Sequence, residues 1–189
     1  MPDFQLTAEP PLAGLDHDYG PVRLAAPAGL AIVSLALPRG GEDAAEKAIK
    51  TAYGTALPVP GRYVTAKDGA ARLVRSSPDQ GLIIFPHPTP DAERVVAAKL
   101  KGKVYTTDQT DAWVAVEVSG PATRQVLERI CPLDLSTGSF GPDMAKRTVM
   151  EHLGVLILRT GEDAFLLLSA SSSAKSFLHA LATSVTNTL

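Results

Sequence analysis

The sequence predicts an α+β protein of two similar halves, each an antiparallel sheet covered by helices. Residues 113–118 alternate, with Val114, Val116 and Val118 on one side and Trp113, Ala115 and Glu117 on the other, as in a half-buried strand. After Ser119-Gly120-Pro121, the residues Ala122, Val126, Leu127 and Ile130 recur at helical spacing, so a strand feeds a helix across a tight turn. Strand-length and helix-length segments run β-α-β-β-α-β across 31–108, the split order in which two helices cover one face of an antiparallel sheet, and nearly repeat it from 113 onward. Identity between the halves is too low for an internal repeat.

Each element has a local reason. Residues 1–27 hold Pro2, Pro10, Pro11, Pro21 and Pro27 with Gly14 and Gly20, and this punctuation predicts an extended arm, with a short edge strand at 22–24. Residues 28–189 then read as one α+β domain whose halves span about 28–108 and 112–189. Residues 31–37 are a strand ended by Pro38 and Gly40-Gly41. Residues 42–53 are a helix with Glu42, Asp43 and Glu46 near its positive end and Ala45, Ala48, Ile49, Ala52 and Tyr53 inward. A loop covers 54–69. Strands at 71–75 and 82–85 follow, joined across Ser77-Pro78-Asp79-Gln80-Gly81. Thr89-Pro90 caps a helix over 91–100, and 104–106 is a strand.

In the second half the helix over 121–130 stops at Cys131-Pro132, because the residue before a proline is pushed out of helical geometry. Strands are expected at 147–150, 155–159 and 165–168, the last two joined by Thr160-Gly161-Glu162-Asp163. A final helix starts at Ser171-Ser172-Ser173 with Phe177, Leu178, Leu181 and Val185 on one side.

The chain has 189 residues, 45% hydrophobic and 20% charged, an ordinary globular composition. Lysine and arginine number 18 against 20 acids, a net charge of −2, and the short run Lys99, Lys101 and Lys103 reads as a solvated helix end; neither makes a nucleic-acid surface. One cysteine excludes an intrachain disulfide. No charged segment precedes an apolar stretch at Met1-Pro2-Asp3-Phe4-Gln5-Leu6, and no run approaches the ~18 apolar residues of a membrane span, so a cytoplasmic protein is expected.

The residues offer little chemistry. Cys131 follows a helix C-terminus, which disfavours a thiolate, so it reads as a buried structural thiol. His17, His87, His152 and His179 stand at no metal-ligand spacing, and phosphate-binding glycine motifs are missing. Asp108 and Asp111 flank the central strand and could pair, though in a short linker they more often cap turns. Asp134 is either a turn residue or a ligand contact.

The stretch Trp113 to Gly120-Pro121, then Arg124-Gln125-Val126-Leu127 and Cys131-Pro132-Leu133-Asp134-Leu135, resembles the gamma subunit of heterotetrameric sarcosine oxidases and the related N-methylglutamate dehydrogenase subunit. The resemblance continues through Gly161-Glu162-Asp163-Ala164-Phe165 and Ser172 to Leu181; before about Leu100 it is slight. It implies a non-catalytic subunit of a flavin-dependent complex, with alpha, beta and delta partners. Those partners would hold FAD, FMN, NAD, tetrahydrofolate and zinc, while this chain braces the large folate-binding subunit and has no catalytic residue or metal of its own.

That family is similar in turn to the folate-binding domain of aminomethyltransferases, which have Asp at the position of Asp108, Gly-Pro at Gly120-Pro121 and Asp near Asp134. Their adjacent acidic pair falls, in an ungapped alignment of the hairpin, on Leu153 and Gly154, neither of which can bind an amine or relay a proton. The alternative is a free-standing tetrahydrofolate-binding enzyme using Asp108, Asp111 or Asp134 with the Ser136-Thr137-Gly138-Ser139 loop.

Overall fold

The computed structural model describes residues 9–189. Along the chain lie β1 (Asp16–Asp18), β2 (Arg23–Ala25), β3 (Leu30–Ala36), α1 (Glu42–Tyr53), β4 (Arg62–Thr65), β5 (Arg72–Ser77), β6 (Gln80–Pro86), α2 (Ala92–Leu100) and β7 (Tyr105–Asp108). They are followed by β8 (Trp113–Ser119), α3 (Thr123–Glu128), β9 (Ala145–Met150), β10 (Leu153–Gly161), β11 (Ala164–Ala170) and α4 (Ala174–Thr186). Five strands form one sheet in the order β4-β5-β6-β3-β7, and six form the other in the order β1-β2-β8-β11-β10-β9, with every pairing antiparallel.

The α+β class expected from the sequence is the one observed, and strand alternation explains its layers. In β3, Ala31, Val33 and Leu35 turn to a core shared with Ala45 and Ile49 of α1 and Val96 and Leu100 of α2. In β8, Val114, Val116 and Val118 turn to a core shared with Val126 and Leu127 of α3 and Phe177 and Leu181 of α4. The opposite strand faces meet each other: Ile32, Val74, Leu82 and Ile84 of one sheet pack with Leu156, Leu158, Leu166 and Leu168 of the other. Helices are thus outside and the sheets back to back, and the long apolar runs of β10 and β11 follow from burial on both faces.

Four strands of each sheet correspond, β3, β4, β5 and β6 with β8, β9, β10 and β11. In the first half β7 returns beside β3, pairing Val33 with Asp108 and Ala36 with Tyr105. In the second half no strand follows α4, and the place beside β8 is taken by β2, which pairs Leu24 with Val118. The extended arm expected over residues 1–27 is therefore corrected for the described part. Residues 16–25 are a hairpin inside the six-stranded sheet, and Leu12, Leu15, Val22 and Leu24 are buried in its core. Prolines and glycines there mark the hairpin's ends, and β2 is interior with β1 outside it. Residues 1–8 of that arm lie outside the described residues.

Two further differences are local. β4, expected to be loop, is an edge strand of the first sheet, and its counterpart β9 is the edge of the second. These edges join, with Tyr63 N–H donating to Asp143 O at 2.9 Å and Ala145 N–H to Gly61 O at 3.0 Å. α3 is only Thr123–Glu128, because Gly120, Pro121 and Ala122 are spent on a turn against the hairpin, where Ala122 N–H donates to Pro21 O at 3.2 Å. At the other end of the interface, Gln109 N–H donates to Ile32 O at 2.8 Å, tying the connector between the halves to β3. No helix among the described residues is long and apolar enough to cross a membrane.

Candidate functional site

Where the chain passes from the first sheet to the second, the walls part around a cleft of about 760 Å³. Five separate stretches line it: Glu9–Leu12 ahead of the hairpin, Ala26 to Ile32 into β3, His87–Pro90 ahead of α2, Thr110–Ala115 into β8, and Ser171-Ser172 ahead of α4. Prolines 10, 11, 27, 88 and 90 stiffen the rim, since a fixed φ removes much of a loop's freedom. The floor is apolar, from Leu12, Leu30, Ile32, Trp113 and Val114.

His87 is the polar group held most firmly at this rim. Its Nε2 lies 2.7 Å from Asp91 Oδ1 and 2.8 Å from Thr89 Oγ1, and Thr89 donates its hydroxyl to Asp91 Oδ1 at 2.6 Å. Arg94 adds a contact from its guanidinium to Asp91 Oδ2 at 3.2 Å. The Thr89 hydroxyl, then His87 and Arg94, hold the Asp91 carboxyl well below its ordinary range. Thr89, expected to cap the helix backbone, spends its hydroxyl on this network instead, and Asp91 takes the cap position without a side-chain bond to the helix. The signal was present as His-x-x-x-Asp at i,i+4 before a helix, a spacing that becomes meaningful only once the loop is seen to fold over Phe85.

The three aspartates singled out by sequence go to different tasks. Asp108 ends β7 and accepts from Thr110 N–H at 2.8 Å, a turn closed on its own backbone. Asp111 reaches the cleft wall but is exposed. Asp134 stands in the loop between α3 and β9 and accepts from Ser136 N–H at 2.9 Å. The Ser139 and Ser136 hydroxyls and that N–H lower its pKa from the ordinary 3.8. The Ser136–Ser139 loop closes on itself, with Phe140 N–H donating to Ser136 O at 2.8 Å and the Phe140 ring anchoring it in the core. Only Asp111, of these three, lines the cleft; Glu9, also exposed, is the other carboxylate there among the described residues.

Elsewhere, Cys131 is buried with Sγ 3.9 Å from Thr148 Oγ1, packed among aliphatic side chains. His152 sits in the β9–β10 turn with φ 71°, beside Glu151 with φ 46°. His179 is exposed on α4, and His17 is exposed on β1. Among the described residues, no three His, Cys, Asp or Glu side chains gather as metal ligands.

Comparison with known proteins places this geometry. The chain is 31% identical over 132 residues to sarcosine oxidase subunit gamma of Corynebacterium sp. (strain P-1), covering 70% of this chain and 65% of that one. It is 34% identical over 127 residues to sarcosine oxidase subunit gamma of Arthrobacter sp, covering 67% and 62%. The chain is similar to sarcosine oxidase gamma subunits. It spans a little under two thirds of those relatives' length. No family model matches.

Among solved structures, a chain of heterotetrameric sarcosine oxidase from Corynebacterium sp. U-96, in complex with pyrrole 2-carboxylate, superposes with a TM-score of 0.81 at 22% identity, covering 95% of each chain. The aminomethyltransferase T of the glycine cleavage system from Bartonella henselae superposes with a TM-score of 0.60 at 15% identity, covering 84% of this chain and 44% of that one. The fold is the one these two proteins share with it.

Proposed function

We propose that this protein is a non-catalytic subunit of a sarcosine oxidase-type complex in the cytoplasm. Its partners would be the alpha, beta and delta subunits, and it would brace the large folate-binding one. Oxidative demethylation would take place on those partners, which would carry FAD, FMN, NAD, tetrahydrofolate and zinc. The observation that carries this reading is the similarity to proteins named sarcosine oxidase subunit gamma, running through most of the chain. A fold superposing over 95% of its length on a chain of such a complex supports it.

The residues at the positions of the aminomethyltransferase carboxylates support a non-catalytic role. Aminomethyltransferase-like folds imply tetrahydrofolate, and the residues here do not fit it. Leu153 and Gly154, standing where the acidic pair falls, open β10: Leu153 packs on the helix-side core, and the Gly154 carbonyl accepts from Ser169 Oγ at 3.0 Å. Asp108 and Asp134 are occupied with their own turns. An amine or a pterin nitrogen would find no carboxylate at the first place, and at the others two that close turns and do not line the cleft.

The purified chain is expected neither to oxidise sarcosine nor to bleach an added flavin, while co-expression with its partner subunits should pull down a flavoprotein. Turnover by the chain alone would overturn the proposal. The competing reading, a folate-binding enzyme using the cleft with Asp111, calls for a thermal shift with tetrahydrofolate. A ligand at a hundred times its Kd would stabilise the fold by about 2.7 kcal/mol, so a flat response rejects that enzyme.

A further inference from the structure

Two sheets have four outer edges, and three of these are protected. β4 and β9 join each other, and β1 carries Asp16, His17 and Asp18, all exposed. The fourth edge is β7, and among the described residues no strand pairs with its outer side. Its Tyr105, Thr106 and Thr107 favour extended backbone and carry neither charge nor proline. Tyr105 is 69% exposed. The other half shows what such an edge can hold: β2 stands beside β8 as β7 stands beside β3, and β1 is laid antiparallel on the far side of β2.

The register fixes which backbone groups of β7 point outward. Gln109 N–H donates to Ile32 O at 2.8 Å, and along the same ladder Thr107 pairs with Ser34 and Tyr105 with Ala36. Antiparallel pairs alternate between bonded and unbonded, so the N–H and C=O groups of Tyr105 and Thr107 face β3 while those of Thr106 and Asp108 face away from it. Charge follows the same line. Lys101 and Lys103 precede β7, Asp108 ends it and Asp111 follows, and all four are exposed. A second strand of this sequence, laid antiparallel, sets each basic start beside the other's acidic end. With Thr107 on a two-fold axis, Thr106 of each copy stands opposite Asp108 of the other, where the two exchange backbone hydrogen bonds, and each Tyr105 ring reaches diagonally across to the other copy's Thr107. We propose that β7 is a self-docking edge, through which two copies of this chain pair antiparallel and join their five-stranded sheets into one. The pairing needs no other subunit, so it stands apart from the reading above and is tested on the purified chain.

Analytical ultracentrifugation of the full-length chain should show one chain mass giving way to two as concentration rises. Over the same range hydrogen exchange should slow at the Thr106 and Asp108 amides, while the Thr107 amide, facing β3, stays slow throughout. Thr106→Pro removes an outward N–H and leaves the ladder to β3 intact, so it should hold the chain as a monomer. Because the Thr106 hydroxyl also donates to Glu93, variants at exposed charges decide the matter should Thr106→Pro fail to fold. Lys103→Glu or Asp111→Lys alone should weaken the dimer about tenfold, and the two together should restore it, since the ends match again. A chain that is monomeric at every concentration overturns the proposal. So does a dimer indifferent to these substitutions, or one that the paired reversal does not rescue, because its contact lies elsewhere. Slowed exchange at Thr106 and Asp108 only on adding a sarcosine oxidase-type subunit assigns the edge to that subunit and overturns it likewise.

Discussion

Arg159 brings a permanent charge to the helix side of the six-stranded sheet, and among the described residues no carboxylate pairs with it. It is 2% exposed, and three carbonyls surround it: Nη1 donates to Phe140 O at 2.7 Å, Nη2 to Glu162 O at 2.5 Å and Nε to Gly161 O at 3.0 Å. The guanidinium also lies 5.8 Å from the Phe165 ring centroid. One side chain thus fastens the loop before β9 to the β10–β11 hairpin. Arg159→Met should cost roughly 2–5 kcal/mol, because several buried carbonyls lose their donor at once. Urea unfolding measures it, and an unmoved midpoint would refute the account.

Asp91 gives a pH-dependent counterpart at the same scale. Its folded pKa lies below the ordinary 3.8, so its contribution is present above that value and fades as pH falls towards the folded one. Asp91→Asn should lower the melting temperature at pH 7, and the difference should shrink progressively as pH falls below 3.8 towards the folded pKa. A melting difference that does not change with pH would contradict the ionic account.

At the level of elements, the junction of β8, α3 and the N-terminal hairpin is decided by Gly120. Its φ is 120°, and a Cβ there would stand 2.3 Å from the carbonyl oxygen of Pro21. The same carbonyl accepts from Ala122 N–H, so hairpin and helix start share one close backbone contact. Gly120→Ala should destabilise by about 2 kcal/mol or more, since both the backbone angle and the contact must give way. At this chain length that is a fall in melting temperature of about 4–8 °C. Gly138→Ala is the control, because a Cβ there meets nothing within 4 Å and its φ is not positive. Equal melting of the two variants would refute the assignment.

For the whole molecule, the two halves depend on each other in an unequal way. The first sheet is closed by β7, a strand of its own half, whereas the second borrows β2 from the start of the chain. Tyr63 of β4 crosses the interface, donating its buried hydroxyl to Arg159 O at 2.6 Å. A chain lacking residues 1–27 would lose Val22 and Leu24 from the core and bare the edge of β8, a template for unwanted pairing. It should be recovered aggregated or without a cooperative melt. A truncated chain that melts like the full one would show the hairpin to be dispensable. β1, the new outer edge, carries Asp16, His17 and Asp18, all exposed, which blunts it against the same hazard.

What the sequence determined by itself was whatever depends on neighbours along the chain. α1 runs Glu42–Tyr53 as its acidic start, apolar stripe and Gly54 stop dictate, and the alternation from Trp113 puts three valines on one face of β8. Tertiary structure decided the rest, because those features depend on residues far away in the chain. β4 is too short for periodicity to speak, and β2, expected as an edge strand at 22–24, lies inside the sheet because its partner β8 comes about 90 residues further along. The cleft is assembled from five stretches, and its apolar floor reads in sequence as ordinary core. Carboxylates that could have bound a ligand were legible as residue types only. Backbone geometry assigned Asp108 and Asp134 to turns and left Asp111 at the water's edge, since an N–H two residues away is reached at a far smaller entropic cost than a distant partner.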